Sequence, residues 1–114
     1  MILIVDDEYW ARKSLKRLCE DVIGENEIKE FDNCHDVIEF VRENKVNIAI
    51  IDVLLPDYSG FYVGQNLKKI DPDISIIYLS AVEGFGKVFK RNGGDYFLLK
   101  PVTEADLKKA FNIN

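Results

Sequence analysis

Four short runs in this chain, ILIV at 2–5, NIAII at 47–51, IIYL at 76–79 and FLL at 97–99, are apolar almost throughout, and each stops at a polar residue. A segment with no polar face has to be covered on both sides. That is the condition of a parallel strand held between helices, not of a strand that shows one face to water. The residues that follow the runs are Asp6, Asp52, Ser80 and Lys100, so the edge these strands share is an edge of charge and hydroxyl.

Hydrophobic pattern extends the same reading along the chain. Strands are expected at 2–5, 27–31, 46–51, 74–79 and 96–99, and helical stripes alternate with them. Ala11, Leu15, Leu18 and Val22 recur at steps of four, three and four, and Val63, Leu67 and Ile70 at four and three. Val37 and Val41 serve the second helix, and Leu107, Ala110 and Phe111 the last. Turn residues punctuate the pattern at 23–26, 57–60, 71–73 and 92–94. Five strands alternating with five helices give a doubly wound α/β domain with helices on both faces of a parallel sheet. The fourth helix is the weakest of the set, because Gly84 and Gly86 flank Phe85 and each costs about 1 kcal/mol against alanine inside a helix. Gly60 is expected to supply a positive φ ahead of the third helix. With 114 residues and 47% apolar content, the chain supports a single core, read as one domain over 1–114.

Composition narrows the function. Fifteen basic against 20 acidic residues give a net charge of −5, which argues against a nucleic-acid surface on this segment. No apolar run approaches the roughly 20 residues of a membrane span, and no basic segment with a cleavage site opens the chain. A soluble, cytoplasmic protein is expected. Cys19 and Cys34 have neither CxxC nor zinc-pair spacing and read as buried free thiols, while His35 reads as a surface residue at a helix start.

The chemistry gathers at the carboxyl ends of the strands, where open α/β sheets place their ligands. Asp6 and Asp7 follow the first strand and Asp52 the third. If those strands are neighbours, about 4.8 Å apart, three carboxylates crowd together and repel unless a cation neutralises them. Oxygen-only ligands select a hard ion, and three carboxylates with waters suit Mg2+. A metal with a hydroxyl (Ser80) and an ammonium (Lys100) on the same rim is equipment for phosphoryl transfer. Asp52 is the candidate nucleophile, able to accept phosphate as an acyl phosphate. Taken singly, Asp7 also fits a helix N-cap, Lys100 a surface lysine, Ser80 a turn residue and Phe97 plain core.

At these residues the sequence resembles the receiver domain of bacterial two-component response regulators. The motifs are VDDE at 5–8, IDVLLPDYSG at 51–60, YLSA at 78–81 and LLKPV at 98–102, and the likeness covers nearly the whole chain. The resemblance implies a flavodoxin-like strand order 2-1-3-4-5, with Asp52 as phosphoacceptor and Asp6 and Asp7 as the metal-binding acidic pair. It implies that Leu54 lends a backbone carbonyl to Mg2+, that Ser80 and Phe97 form the switch pair, that Lys100 binds phosphate, and that a cis peptide precedes Pro101. Leu54 and Val82, each two positions beyond a site residue, would border the path of attacking water. The 20 positions from Ser80 to Lys100 fall about two short of the family pattern, roughly half a helical turn, in the region of the fourth helix.

The expected function is a phosphorylation-dependent signalling switch, regulatory rather than metabolic. A histidine kinase or phosphotransfer protein would donate the phosphoryl group, any output domain would lie outside this chain, and phosphorylation-dependent dimerisation is open to it. Trp10, one position off the first helical stripe, is the expected anchor for the kinase. A magnesium-dependent aspartyl-phosphate phosphohydrolase is the enzymatic rival, but such enzymes carry an acid two residues after the nucleophile, where this chain has Leu54. An FMN carrier would need a Ser/Thr/Gly-rich loop after the first strand. A degenerate receiver acting only as a binding module fits poorly with a complete set of acids, hydroxyl and lysine.

Overall fold

The computed structural model describes residues 1–24 and 27–112; Glu25 and Asn26, the second half of the turn expected at 23–26, lie outside it. The order is β1 (Ile2–Val5), α1 (Tyr9–Ile23), β2 (Ile28–Phe31), α2 (Cys34–Glu43), β3 (Ile48–Asp52), α3 (Gly60–Ile70), β4 (Ser75–Ser80), β5 (Tyr96–Leu99) and α4 (Glu104–Ala110). All strand pairs are parallel, in the order β2-β1-β3-β4-β5. β3 and β4 each run one residue further than expected, so Asp52 and Ser80 are the last residues of their strands.

In place of the single core expected, the apolar runs divide their side chains between two cores, one on each face of the sheet, as alternation along a strand requires. Leu3, Val5, Ala49, Ile51, Ile76 and Tyr78 pack with Val37 and Val41 of α2 and Val63 and Leu67 of α3. Ile2, Ile4, Ile50, Ile77 and Leu79 pack on the other side with Leu15 and Cys19 of α1 and Leu107 of α4. Of the expected α1 stripe, Leu15 is buried, whereas Leu18 and Val22 lie at the margin of this core. Both cysteines are free and buried, and burial pushes the Cys19 thiol up to about 12. His35 is exposed on α2.

Helix starts follow local chemistry. The Asn33 side chain accepts from Asp36 N–H at α2, and the Ser59 hydroxyl accepts from Phe61 N–H at α3. Thr103 and Asp106 form a reciprocal capping box at α4.

The fourth of the five expected helices is absent. Two 3-10 segments, Glu83–Lys87 and Lys90–Asn92, span the gap between β4 and β5. Besides the two glycines, packing holds the short form. A Cβ on Gly86 would stand 3.3 Å from the Phe97 ring, and one on Gly94 2.6 Å from the Tyr78 ring. The Tyr78 hydroxyl donates to the Asn92 carbonyl at 2.6 Å. Gly60 also departs from expectation: it has no positive φ. A glycine is needed there because any side chain would strike the Asp52 carbonyl, at a point where α3 begins directly against the end of β3.

Candidate functional site

Strand register assembles the rim. Val5 pairs with Ile51, so Asp6, one residue on, comes beside Asp52. Asp52 pairs with Leu79, and Ser80 pairs with Leu99, which places Ser80 and Lys100 on the same edge. The Lys100 N–H donates to the Ser80 carbonyl at 2.9 Å, continuing the ladder one step past the strands.

Asp6, Asp52 and Ser80 are buried, at 2%, 6% and 1% exposure, while Asp7 is exposed. One oxygen from each of Asp6, Asp7 and Asp52 lies within 4.8 Å of the others. Lys100 Nζ bridges the two buried acids, 2.6 Å from Asp52 Oδ2 and 3.2 Å from Asp6 Oδ2. The remaining oxygens accept backbone donors: Asp52 Oδ1 from Leu54 N–H at 3.0 Å, and Asp6 Oδ1 from Glu8 N–H at 2.9 Å. Burial pushes the Asp52 carboxyl above its ordinary range, with the Asp6 charge adding to it, against the opposing hydrogen bonds from Lys100 and Leu54. Burial works against the Lys100 ammonium, but its hydrogen bond and charge pairing with Asp52, together with Asp6, hold its pKa above the usual lysine value.

Three carboxylates against one ammonium leave two negative charges, on oxygen donors alone. That donor set fits a hard divalent cation such as Mg2+, with the exposed Asp7 side open to the waters such an ion keeps.

Ser80 Oγ accepts from Val82 N–H at 3.0 Å. Phe97 is half-buried beside Tyr78 in register and stacks with Phe89 at 6.0 Å. The Lys100–Pro101 peptide is cis. Asp7 is not the α1 N-cap; Glu8 takes that position, without a side-chain cap bond. Leu54 and Val82 are exposed beside the site at 60% and 46%. Trp10 is 72% exposed and stands edge-on to Tyr9, with ring centroids 5.0 Å apart. Next to Asp6 and Lys100, a groove of about 490 Å³ opens between α1 and the segment after β5, lined by Ala11, Leu15, Leu18, Leu79, Pro101 and Val102.

Two parts of the site escaped the sequence. Arg12 Nη1 donates to the Asp6 carbonyl at 2.8 Å, and Asp57 Oδ2 accepts from Cys34 N–H at 2.9 Å, tying the loop after Asp52 to the start of α2. Arg12 lies one turn from Glu8 on a charged helix, and Asp57 lies in a turn motif. Nothing in the order of residues separates either from solvated surface.

The response regulator receiver domain family matches residues 2–112. The chain is 32% identical over 111 residues to the transcriptional regulatory protein LytR of Staphylococcus aureus (strain N315), covering 96% of this chain and 45% of that protein. It is 35% identical over 104 residues to the sensory transduction protein LytT of Bacillus anthracis, covering 90% and 42%. The chain therefore spans less than half the length of these curated relatives. A crystal structure of a response regulator receiver domain protein from Clostridium thermocellum matches with a TM-score of 0.86 at 29% identity, over 97% of this chain and 90% of that one. Strand order, rim chemistry and these likenesses agree, and the chain belongs to the response regulator receiver domain family of two-component systems.

Proposed function

We propose that this domain is a phosphorylation-dependent switch in which Asp52 accepts a phosphoryl group from a histidine kinase or phosphotransfer protein. The observation that carries this reading is the convergence of Asp6, Asp7 and Asp52 around Lys100 on one strand edge. An Asp52 carboxylate oxygen forms the new bond to phosphorus as the donor's nitrogen–phosphorus bond breaks, and the electron pair leaves with the donor imidazole. Asp6, Asp7 and Asp52, with the Leu54 carbonyl, would hold Mg2+, which when bound neutralises charge on the phosphoryl oxygens. Lys100, already on Asp52 Oδ2, supplies a second positive charge. Ser80 uses its oxygen to accept from Val82, which leaves its hydrogen for a phosphoryl oxygen. Burial of Asp52 strengthens each of these contacts.

Around the site, Tyr9, Trp10, Leu54, Tyr58, Tyr62 and Val82 are exposed on the loops and helix starts of one edge. Apolar side chains gathered this way support a partner surface there, with Trp10 as anchor. Ser80 and Phe97 would relay the change to partners, among them an output domain outside this chain or a second phosphorylated copy. The function is regulatory, carried out in the cytoplasm. The phosphohydrolase reading lacks its acid, since Leu54 holds that position.

Intact mass after incubation with a small acyl phosphate and Mg2+ tests the reading. The native chain gains one phosphoryl group, and Asp52→Asn and Asp52→Ala do not; full labelling of both variants would refute it. Trp10→Ala slows transfer from the cognate kinase without changing labelling by the small donor, and equal kinase transfer would remove Trp10 from the interface.

A further inference from the structure

The loop between β1 and α1 is pinned through Asp6. Its N–H donates to the Phe31 carbonyl of β2 at 3.0 Å, its side chain is held by Glu8 N–H and Lys100, and its carbonyl accepts from Arg12 Nη1. That carbonyl belongs to the rigid peptide plane joining Asp6 to Asp7, so fixing it fixes the direction in which Asp7 leaves the chain. Asp7 needs such a fixture. It is exposed, and among the described residues its carboxylate accepts no hydrogen bond.

Arg12 is itself anchored. Its Nε lies 3.6 Å from Glu30 Oε1 on the edge strand β2, and that oxygen is buried with no hydrogen-bond partner. Only 14% of the Arg12 side chain and 16% of the Glu30 side chain are exposed. Glu30 has no need of Arg12 for charge balance, because Lys13 and Lys16 approach its other oxygen at 2.8 and 3.9 Å. A third cation there is redundant as a charge but not as a geometry: the planar guanidinium stands within ion-pair distance of Glu30 through Nε while Nη1 donates to the Asp6 carbonyl on its other side.

We propose that Arg12 is a positioning residue for the divalent-cation site, a guanidinium paired by charge with Glu30 that holds the Asp6 carbonyl and so aims Asp7 at Asp6 and Asp52. The proposal rests on the reading that these three acids hold Mg2+. It carries a sign that simple electrostatics reverses. Arg12 is a positive charge beside a cation site, so deleting that charge would by Coulomb repulsion alone tighten Mg2+ binding.

Calorimetric titration of Mg2+ into the unphosphorylated chain provides the test, with a thermal melt in chelator to establish that each variant is folded. Arg12→Met, which keeps the length of the stem, weakens Mg2+ binding about tenfold, the lower end of what loss of an outer partner costs a metal site. Arg12→Lys, which keeps the charge and loses the planar guanidinium, weakens it about threefold. Lys13→Ala removes an equal charge from the same Glu30 without touching Asp6 and leaves Mg2+ affinity unchanged or tighter. Native affinity in folded Arg12→Met overturns the proposal; should that variant not fold, native affinity in Arg12→Lys does so. Weakening in Lys13→Ala as large as in the Arg12 variants overturns it too. If the native chain itself takes up no Mg2+, the metal reading falls and this proposal with it, an outcome distinct from native binding that Arg12 does not affect.

Discussion

Replacing Gly60 with alanine sets two backbones against each other beside Asp52. The added Cβ falls on the Asp52 carbonyl oxygen and stands 2.8 Å from both Asp52 C and Val53 Cα. Carbon atoms in contact keep about 3.5 Å, so the carbon contacts alone require the end of β3 and the start of α3 to part by roughly 0.7 Å, and the closer carbonyl oxygen requires more. They are not free to part. Gly60 N–H donates to the Val53 carbonyl at 2.7 Å, and Val53 N–H to the Leu79 carbonyl at 3.0 Å. Overpacking costs about 1–3 kcal/mol, and with no side-chain tip able to swing aside, Gly60→Ala belongs at the upper end, near ~3 kcal/mol. At this chain length that lowers Tm by roughly 10 °C. Urea denaturation reads the cost as a lower midpoint at unchanged slope. Gly84→Ala is the control, since nothing lies within 4 Å of its added carbon and its φ is not positive. It is expected to stabilise by about 0.4–1 kcal/mol through the unfolded chain. A Gly60→Ala protein within ~0.5 kcal/mol of native, or a Gly84→Ala protein losing as much as Gly60→Ala, would refute the close-approach argument.

Other perturbations read other parts of the structure. Leu54 and Val82 can exclude water from an acyl phosphate but cannot align it, so Leu54→Asn combined with Val82→Glu should speed loss of the phosphoryl group in Mg2+ buffer without preventing its uptake. Unchanged or slower decay by intact mass would show that these side chains do not gate the water. Tyr78→Phe removes the donor to the Asn92 carbonyl and should cost about 1–2 kcal/mol in chemical denaturation; a neutral result would mean the 3-10 segment is held without it. The backbone and hydroxyl of Thr103 hold the Asp106 carboxyl below its ordinary range. Its contribution is therefore present above the ordinary aspartate pKa of about 3.9 and lost as pH falls through the lowered folded value. Asp106→Asn should be less stable than native at neutral pH and match it at the acid end; a gap independent of pH would rule out the carboxylate as its source.

Strand identity and the polar residues that end the strands were legible because each leaves a local mark, whereas strand order leaves none and came only with the family resemblance. The apolar runs of β1, β3 and β4 are strands covered on both faces, whereas FLL at 97–99 lies in the edge strand β5 and leaves Leu99 exposed, so apolarity alone does not separate a central strand from an edge; in each case the polar residue ending the run marks the rim. The 3-10 segments were only half legible: Gly84 and Gly86 announce a poor helix, but what replaces it depends on Tyr78 and Phe97, contacts made across the fold. Gly60 is present for a different reason from the one its place before a helix suggests: a glycine in the sequence does not tell a backbone angle from a lack of space, and here space decides. Arg12 and Asp57 left no mark at all, because a side chain that holds a backbone carbonyl or a remote N–H has the same composition as one that faces water.

In the proposed switch, the contacts of β4 decide which part of the molecule can move. Tyr78 and Ser80 are two apart on this strand and point to the same face. Tyr78 is fixed: its ring fills the space left by Gly64 and Gly94, and its hydroxyl holds Asn92. Residues 90–94 are therefore tied to the core through a fully buried side chain. The segment Glu83–Lys87 is held differently. Like Lys90–Asn92 it has no buried residue, but among the described residues no side-chain hydrogen bond ties it to the core, and it is joined to the rest through Phe85 against Phe61 and Gly86 against Phe97. Segments with so little buried surface open at low free-energy cost. Val82, the N-cap residue of that segment, is bonded by its N–H to Ser80 Oγ. A Ser80 hydroxyl drawn toward a phosphoryl oxygen on Asp52 would shift the acceptor of this N–H, and the displacement would enter the chain at Val82 and meet resistance first where Phe85 packs on Phe61 and then at Phe97. On the proposed switch, the surface expected to change on phosphorylation is residues 82–87 with the Phe97 ring beneath them, while the Asn92 turn, a few residues on, is expected to stay in place.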